Sequence, residues 1–252
     1  MAMEWSDRGI VLAARVHGEN NAIVTLLTRE RGRHAGLVRG GTGRRLKGVL
    51  QPGNVIQARW RGRLAEHLGT YTVEAERAAP AGFIEDAERL TCLSSACAMA
   101  ERALPERHPY APLFDGFLAL LDALAAPGSH WGAVYVRWEL GLLEQLGFGL
   151  DFSECAVTGG NDSLVWVSPR SGRAVCASAG EPYRDKLLAL PGFLVGGPDG
   201  GAQEVLAGLR LTGHFLERHL FVHDAAGPPP ARERFVARMA RATTKSGVIS
   251  GA

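Results

Sequence analysis

Residues 8–28, RGIVLAARVHGENNAIVTLLT, contain two apolar segments rich in β-branched residues on either side of a polar turn. Arg8–His17 and Ala22–Thr28 have the length and composition of strands, and the residues between them, Gly18-Glu19-Asn20-Asn21, have the composition of a turn. This stretch predicts a β-hairpin. Because the segment that follows it is also strand-like, it favours an all-β unit over a βαβ unit.

Further short strands are predicted downstream of this hairpin, over Arg33–Arg39, Val55–Trp60 and His67–Glu76. The turn-forming segments Glu30–Gly32 and Gln51–Asn54 separate them. Five short strands with turns between them are typical of a small barrel.

After Ala79-Pro80-Ala81-Gly82 the apolar residues recur at helical spacing. We predict helices over Ile84–Leu104, Leu113–Ala125, Trp131–Leu146, Pro182–Leu190, Gln203–Val222 and Ala231–Ala242. The fold class is therefore α+β, with a β-barrel domain over residues 1–80 and a mainly α-helical domain over residues 81–252.

The composition is that of a globular protein: 252 residues, 46% hydrophobic and 21% charged, with a net charge of only +2. There is no apolar run of the roughly 18 residues that a membrane helix needs, and residues 1–9 contain no apolar signal segment. The four cysteines do not resemble a secreted disulfide framework. We expect a soluble, cytoplasmic protein with no membrane partner.

The charge is unevenly distributed along the chain. Residues 1–80 hold 13 Lys and Arg against 7 Asp and Glu, whereas the remaining residues hold 15 against 19. Between Arg29 and Arg63 there are ten basic residues and one acid, Glu30. Such a concentration predicts a surface that binds a phosphate backbone, and the alternative is a solvated basic face without a partner.

The candidate DNA-binding residues are the basic side chains of this segment together with one aromatic ring. They are Arg31, Arg33, Arg39, Arg44, Arg45, Lys47, Arg59, Arg61, Arg63 and Trp60. Few aromatic residues are available in this domain, and non-specific single-strand binders normally stack bases on several. We therefore expect backbone-dominated binding, in which Trp60 either stacks modestly on a base or belongs to the barrel core.

The sequence carries no recognisable catalytic motif. Gly36–Gly43, GLVRGGTG, is glycine-rich but lacks the Gly-Lys-Ser/Thr of a P-loop, and neither HExxH nor GxSxG occurs. We expect that the protein is not an enzyme. A catalytic cleft built on Cys and His is a further alternative, for which the sequence offers no local cluster of thiol, base and carboxylate.

Cys155 and Cys176 flank a predicted strand–turn–strand segment, Leu164–Val175, in the manner of a zinc knuckle. Such knuckles usually carry paired CxxC motifs, but here the residues three positions further on are Thr158 and Ala179. Two thiolates do not close a tetrahedral site. We predict a degenerate knuckle held by packing, with no zinc and no other cofactor.

Taken together, the order and spacing of several segments resemble the bacterial RecO family of DNA repair proteins over essentially the whole chain. The segments are Gly9–Leu12, Glu19–Thr28, Gly32–Gly40, Leu50–Gly53, Cys155–Gly159, Ser168–Ser171 with Cys176, and Leu209–Leu220. The resemblance implies an N-terminal OB-fold and a helical domain with a zinc-knuckle-like insert at about residues 151–180. Thr158 and Ala179 depart from the ligand pattern of the family.

The resemblance also implies a recombination mediator, associated with the nucleoid, that binds single- and double-stranded DNA and anneals complementary strands. With RecR, such a protein helps to load RecA onto strands coated by single-stranded-DNA-binding protein (SSB). An OB-fold RNA-binding or translation-associated factor is the alternative, and the relative affinities for RNA and DNA discriminate between the two.

A further expectation from the family is a site for the acidic, Phe-terminated tail of SSB, which needs cations and an apolar pocket. In the helix Val205–Val222, Arg210, His214 and Arg218 recur every four residues beside an apolar stripe. The alternative is a surface helix whose arginines pair with acids such as Glu217. A rival site, for the tail or for DNA, is the C-terminal helix, with Arg232, Arg234, Arg238 and Arg241.

Overall fold

The computed structural model of the chain describes residues 3–249, which divide into two compact units between Pro127 and Gly128. The first unit consists of a β-barrel and the helices that follow it. The second consists of helices and a small sheet. The described residues contain no helix that is long and apolar enough to cross a membrane.

The predicted barrel is confirmed. Its strands are β1 (Met3–His17), β2 (Asn21–Thr28), β3 (Gly32–Val38), β4 (Val55–Gly62) and β5 (Thr70–Arg77). They close in the order β1-β2-β3-β5-β4, with β3 and β5 parallel and the other neighbours antiparallel. This is the order of an OB-fold. β1 starts before the predicted Arg8 because Met3–Ile10 pairs with the full length of β4.

Trp60 belongs to the barrel core, so the prediction that it stacks on a base is wrong for this structure. Its side chain is 1% exposed, and its indole Nε1 donates a hydrogen bond to the carbonyl of Leu68 at 2.9 Å. Gly69, with a φ of +58°, lies against the ring, where a Cβ would come within 2.3 Å. The strand alternation that turns Arg59 and Arg61 outward turns Trp60 inward.

The first unit also contains three helices: α1 (Arg44–Val49), α2 (Ala87–Ala103) and α3 (Ala111–Ala125). Helix α1 was not predicted, because its six residues have no apolar repeat and therefore give no helical signal. α2 begins at Asp86, whose carboxylate accepts hydrogen bonds from the N–H groups of Glu88 and Arg89. α2 lies within the predicted range Ile84–Leu104, and α3 begins two residues before the predicted Leu113 and ends at the predicted Ala125.

The helices of the second unit are α4 (Trp131–Gln145), α5 (Ala177–Gly180), α6 (Ala202–His219) and α7 (Pro230–Ile249). Its sheet has the order β7-β6-β8, formed by β6 (Leu164–Val167), β7 (Ala174–Cys176) and β8 (Leu188–Ala189). The predicted helix over Pro182–Leu190 is wrong. A 3-10 helix occupies Glu181–Lys186, and β8 then pairs with β6, which satisfies the backbone groups of that segment.

A buried charge cluster joins α4, α6 and α7. Glu139 is 0% exposed and accepts two hydrogen bonds from the guanidinium of Arg232, at 2.7 and 2.9 Å, and further ones from Tyr135 and Thr212. Burial by itself lowers the pKa of Arg232, but the Glu139 carboxylate outweighs it and the pKa is raised. Arg232 is therefore an internal residue, and the prediction that it contributes to a partner-binding surface is wrong.

Candidate nucleic-acid interface

An open, polar groove of about 510 Å³ lies on the outer face of β4 and β5. Arg59 faces Thr72 across the two strands, and Arg61 faces Thr70. Arg39, which follows β3, also lines the groove, because β3 runs parallel to the start of β5. Three of the predicted cations are thus brought together with two threonine hydroxyls, groups that suit the oxygens of a phosphate backbone.

The cations of the groove differ in their partners. Arg59 forms an ion pair with Glu4 of β1, and this pair occupies one side of the groove. Arg39 and Arg61 are exposed and form no ion pair or side-chain hydrogen bond with any described residue. Arg39 and Arg61 therefore carry the available charge of the groove.

A second group of cations lies on α1. Hydrogen bonds from neighbouring residues fix the position of this helix. The side-chain amide of Asn54, 5% exposed, donates to the last carbonyls of the helix, those of Gly48 and Val49, at 2.9 and 3.0 Å. The loop before the helix is tied to the β1–β2 turn by hydrogen bonds from Gly40 to Asn21 and from Thr42 to Asn20. The basic helix α1 is therefore held in a defined position on the barrel.

The side chains of Arg44, Arg45 and Lys47 are all exposed on this helix. None of them forms an ion pair within residues 3–249. Arg63, in the turn after β4, is also exposed and forms no ion pair within residues 3–249. Four of the predicted cations thus face solvent without a compensating acid.

Other basic side chains of the segment are engaged by residues of α3 or of the segment that follows α2. Arg33 donates from Nε to the carbonyl of Leu104 at 2.7 Å and pairs with Glu106 at 3.3 Å. Arg29 forms a two-fold hydrogen bond with Asp115 of α3, which lowers the pKa of that carboxyl. The prediction that Arg33 serves as a phosphate contact is not supported by this arrangement, because its guanidinium is already engaged.

Arg31 is exposed and lies over the ring of Trp5, with 5.9 Å between its guanidinium carbon and the ring centroid. The same ring stacks on Trp60 on its inner side, with centroids 5.8 Å apart. Arg31 therefore keeps its net charge while its position is fixed by an aromatic contact.

Seven of the ten predicted DNA-binding residues thus remain as exposed cations without an ion pair among the described residues. We call them the unpaired barrel cations: Arg31, Arg39, Arg44, Arg45, Lys47, Arg61 and Arg63. Thr70 and Thr72 are not among the predicted residues, although the period of two in β5 places both on the same face. Asn54 is not among them either, because its role depends on a turn that gives no signal of its own in the sequence.

The predicted partner-binding residues on α6 are only partly available. Nε2 of His214 lies 3.1 Å from the carbonyl oxygen of Pro169, and Nη1 of Arg218 donates to the same oxygen at 2.7 Å. Arg210 is exposed and has no such contact with the described residues. His214 and Arg218 therefore hold the β6–β7 turn against α6 rather than pairing with Glu217.

In the predicted knuckle, the sulfur atoms of Cys155 and Cys176 lie 3.5 Å apart. The Cys176 sulfur also lies 3.5 Å from the hydroxyl oxygen of Ser178 and 3.9 Å from that of Thr158. Within the described chain, no group of three or more His, Cys, Asp or Glu residues is arranged to hold a metal ion. Two thiols and two hydroxyls do not fit a structural zinc site. The absence of zinc stays a prediction.

Comparison with known proteins places both parts of the chain in one family. Residues 1–78 match the family model described as recombination protein O N terminal, and residues 84–225 match the one described as recombination protein O C terminal. The chain is 60% identical over 248 residues to the DNA repair protein RecO of Rhodospirillum centenum, covering 98% of both chains. It is 53% identical to RecO of Rhodospirillum rubrum, over 95% of this chain and 97% of that protein. The chain therefore belongs to the recombination protein O family.

Proposed function

We propose that this protein is a mediator of homologous recombination in DNA repair, which binds single- and double-stranded DNA through the unpaired barrel cations. It anneals complementary strands and acts with RecR to help load RecA onto SSB-coated DNA, and it catalyses no covalent step. The observation that carries the proposal is the set of seven exposed cations without ion pairs on the OB-fold of a RecO family member. Membership of this family also disfavours the RNA-binding or translation-associated alternative.

The arrangement of the barrel suits strand annealing. The cations contact phosphates, which neutralises the repulsion between two strands as they approach. The ring of Trp60 is buried, and the half-buried ring of Trp5 stacks on Trp60 and carries the guanidinium of Arg31, so neither ring is an open stacking surface for a base. Bases held only through their backbone keep their pairing edges free, as annealing requires.

The acidic tail of SSB needs exposed cations, and the two predicted helices of the second unit, α6 and α7, both carry them. Arg210 of α6 is one. Arg234, Arg238 and Arg241 lie on one stripe of α7, all exposed and unpaired within the described residues. The apolar stripe of α6, which includes Leu209 and Leu216, is buried within its own unit. We therefore place the carboxylates of the tail on the α7 stripe in preference to α6.

The proposed function is tested by annealing of complementary strands, bare and SSB-coated, with the full-length protein. The test variant is Arg39→Gln/Arg61→Gln/Arg63→Gln, and the matched control is Arg184→Gln/Lys186→Gln, which removes exposed cations of the second unit. The wild type and the control should accelerate annealing to the same extent, and the test variant should do so several-fold less. A wild type that fails to anneal either substrate would contradict the proposal.

The site for the tail is tested separately by titrating a labelled acidic peptide that ends in Phe. Arg234→Gln/Arg238→Gln should weaken its binding about ten-fold or more, whereas Arg39→Gln/Arg61→Gln should not change it. Loss of peptide binding only in Arg210→Gln would move the site to α6.

A further inference from the structure

The insert between α4 and α6 contains two thiols whose role the proposed function does not explain. Cys155 and Cys176 are 1% and 7% exposed, and their sulfur atoms lie 3.5 Å apart. Neither is part of a disulfide. Two thiols at this separation need only a small rotation to reach bonding distance.

The proximity of the two sulfurs is set by backbone contacts. The N–H of Ala156 donates to the carbonyl of Ala174 at 2.8 Å, and the N–H of Cys176 donates to the sulfur of Cys155 at 3.3 Å. The loop after Cys155 closes on itself through hydrogen bonds from Gly159 to Cys155 and from Cys155 to Gly160. The chain therefore holds the thiols together before any bond forms between them.

The surroundings of Cys155 favour its thiolate. Burial raises the pKa of Cys155, but hydrogen bonds from the Thr158 hydroxyl and from the N–H groups of Cys176, Thr158 and Val157 outweigh it, and the pKa falls to about 6. In the first unit, by contrast, burial raises the pKa of Cys97 to about 12. The same chain thus contains an activated thiol and an inert one.

Access to Cys155 runs through a thin cover. The residues that follow it, 156–160, are exposed, with the side chain of Val157 at 70%. A small, uncharged oxidant therefore meets an exposed loop directly beside its target. Cys92 and Cys97, at 0% and 3% exposure, lie within helix α2.

We propose that Cys155 and Cys176 form a reversible intramolecular disulfide when the protein meets a peroxide. The Cys155 thiolate attacks one peroxide oxygen, so that a sulfenic acid forms and hydroxide leaves. The Cys176 thiol then attacks the sulfenic sulfur, and water leaves as the S–S bond forms. The peroxide takes up the two electrons that the thiols lose, and a dithiol reductant reverses the reaction.

The disulfide would join Cys155 to Cys176 in a part of the insert that was predicted to be held by packing alone. It closes the loop that contains Pro169, whose carbonyl receives the hydrogen bonds from His214 and Arg218 of α6. Oxidation would therefore stiffen the contact between this insert and α6.

The experiment treats the full-length protein with hydrogen peroxide, alkylates the remaining thiols and digests with trypsin. Cleavage at Arg and Lys puts Cys155 in residues 138–170, Cys176 in residues 174–184, and both Cys92 and Cys97 in residues 90–102. Oxidation should link the first two peptides with the loss of two hydrogens, and dithiothreitol should release them. The number of free thiols in the unfolded protein should fall from four to two.

Two variants define the order of the steps. Cys176→Ser should leave a sulfenic acid on Cys155 that dimedone traps, whereas Cys155→Ser should give no adduct at Cys176. Cys92→Ala should form the disulfide like the wild type. The wild-type peptide map does not depend on how these variants fold.

Three results would overturn the proposal. One is full alkylation of Cys155 and Cys176 after peroxide treatment, and another is a link only between two chains, seen as a dimer on a non-reducing gel. The third is a stoichiometric metal ion in the purified protein that blocks both thiols until a chelator removes it.

Discussion

The basic surface of the barrel and the charge cluster of the second unit use the same residue type in opposite ways. Arg232 is buried and forms an ion pair with Glu139. Arg61 and Arg44, in contrast, are exposed and have no ion-pair partner among the described residues. An engaged guanidinium contributes to the fold, and an unengaged one is available to a ligand. Replacing an engaged arginine should therefore change stability, and replacing an unengaged one should change DNA binding.

The largest effect is expected from breaking the buried pair. Arg232→Met leaves the Glu139 carboxylate buried without its cation, which should lower the free energy of unfolding by about 3–5 kcal/mol. Chemical denaturation measures this loss. Arg234→Met, on the exposed side of the same helix, is the matched control and should stay within about 0.5 kcal/mol of the wild type.

A double variant tests whether the loss of stability comes from the unpaired buried charge. Replacing both charges, as in Glu139→Leu/Arg232→Met, should recover much of the stability, because no unpaired buried charge remains. If Arg232→Met were as stable as Arg234→Met, the cluster would not be a structural element.

The next largest effect concerns the inside of the barrel. His34 is 3% exposed beside Tyr71, and burial, assisted by the cation of Arg107, lowers its pKa to about 4. In the unfolded chain a histidine has a pKa of about 6.5, so the unfolded state takes up the proton first. Stability should hold above about pH 6.5, fall as the pH drops toward 4, and lose about 3 kcal/mol in total.

Denaturation curves at several pH values check this expectation. In His34→Gln, which keeps a polar partner for Tyr71, this part of the pH dependence should disappear. An equally steep loss in that variant would assign the effect to other groups.

The smallest effect on stability is expected on α6, where two neighbouring cations differ. Arg218→Ala removes a hydrogen bond to the carbonyl of Pro169 and should cost about 1 kcal/mol. Arg210→Ala removes no such contact and should be close to neutral. Thermal unfolding of both variants measures the difference, and equal stabilities would mean that the contact with Pro169 contributes nothing.

The sequence predicted the elements that depend on local pattern. The strands of the barrel follow from alternation and turns, and α2, α3 and α6 follow from apolar spacing. It did not predict α1, whose six residues are held by Asn54 from a later turn. It also placed a helix over Pro182–Leu190, where pairing of β8 with β6 overrides local preference.

The candidate site shows the same limit. The sequence located the basic segment, but it did not sort its members. Arg33 and Arg29 are neutralised by Glu106 and Asp115, which lie more than seventy positions further along the chain. Trp60 lies in the barrel core because of the strand register, although a tryptophan at this position could equally well stack on a base. Charge counts predict that a ligand surface exists, and only the fold shows which side chains remain free for it.

The central claim is that the unpaired barrel cations bind the phosphate backbone, and the salt dependence of DNA affinity tests it most directly. The measurement compares the log–log slope of single-strand affinity against salt for three proteins: the wild type, Arg44→Gln/Arg45→Gln/Lys47→Gln, and the control Arg29→Gln/Arg77→Gln, whose arginines already pair with Asp115 and Asp122. Each lost phosphate contact should reduce the slope by about 0.7, so the triple variant should lose roughly 2 while the control keeps the wild-type slope. A triple variant with an unchanged slope, or a control that loses as much as the triple variant, would contradict the account.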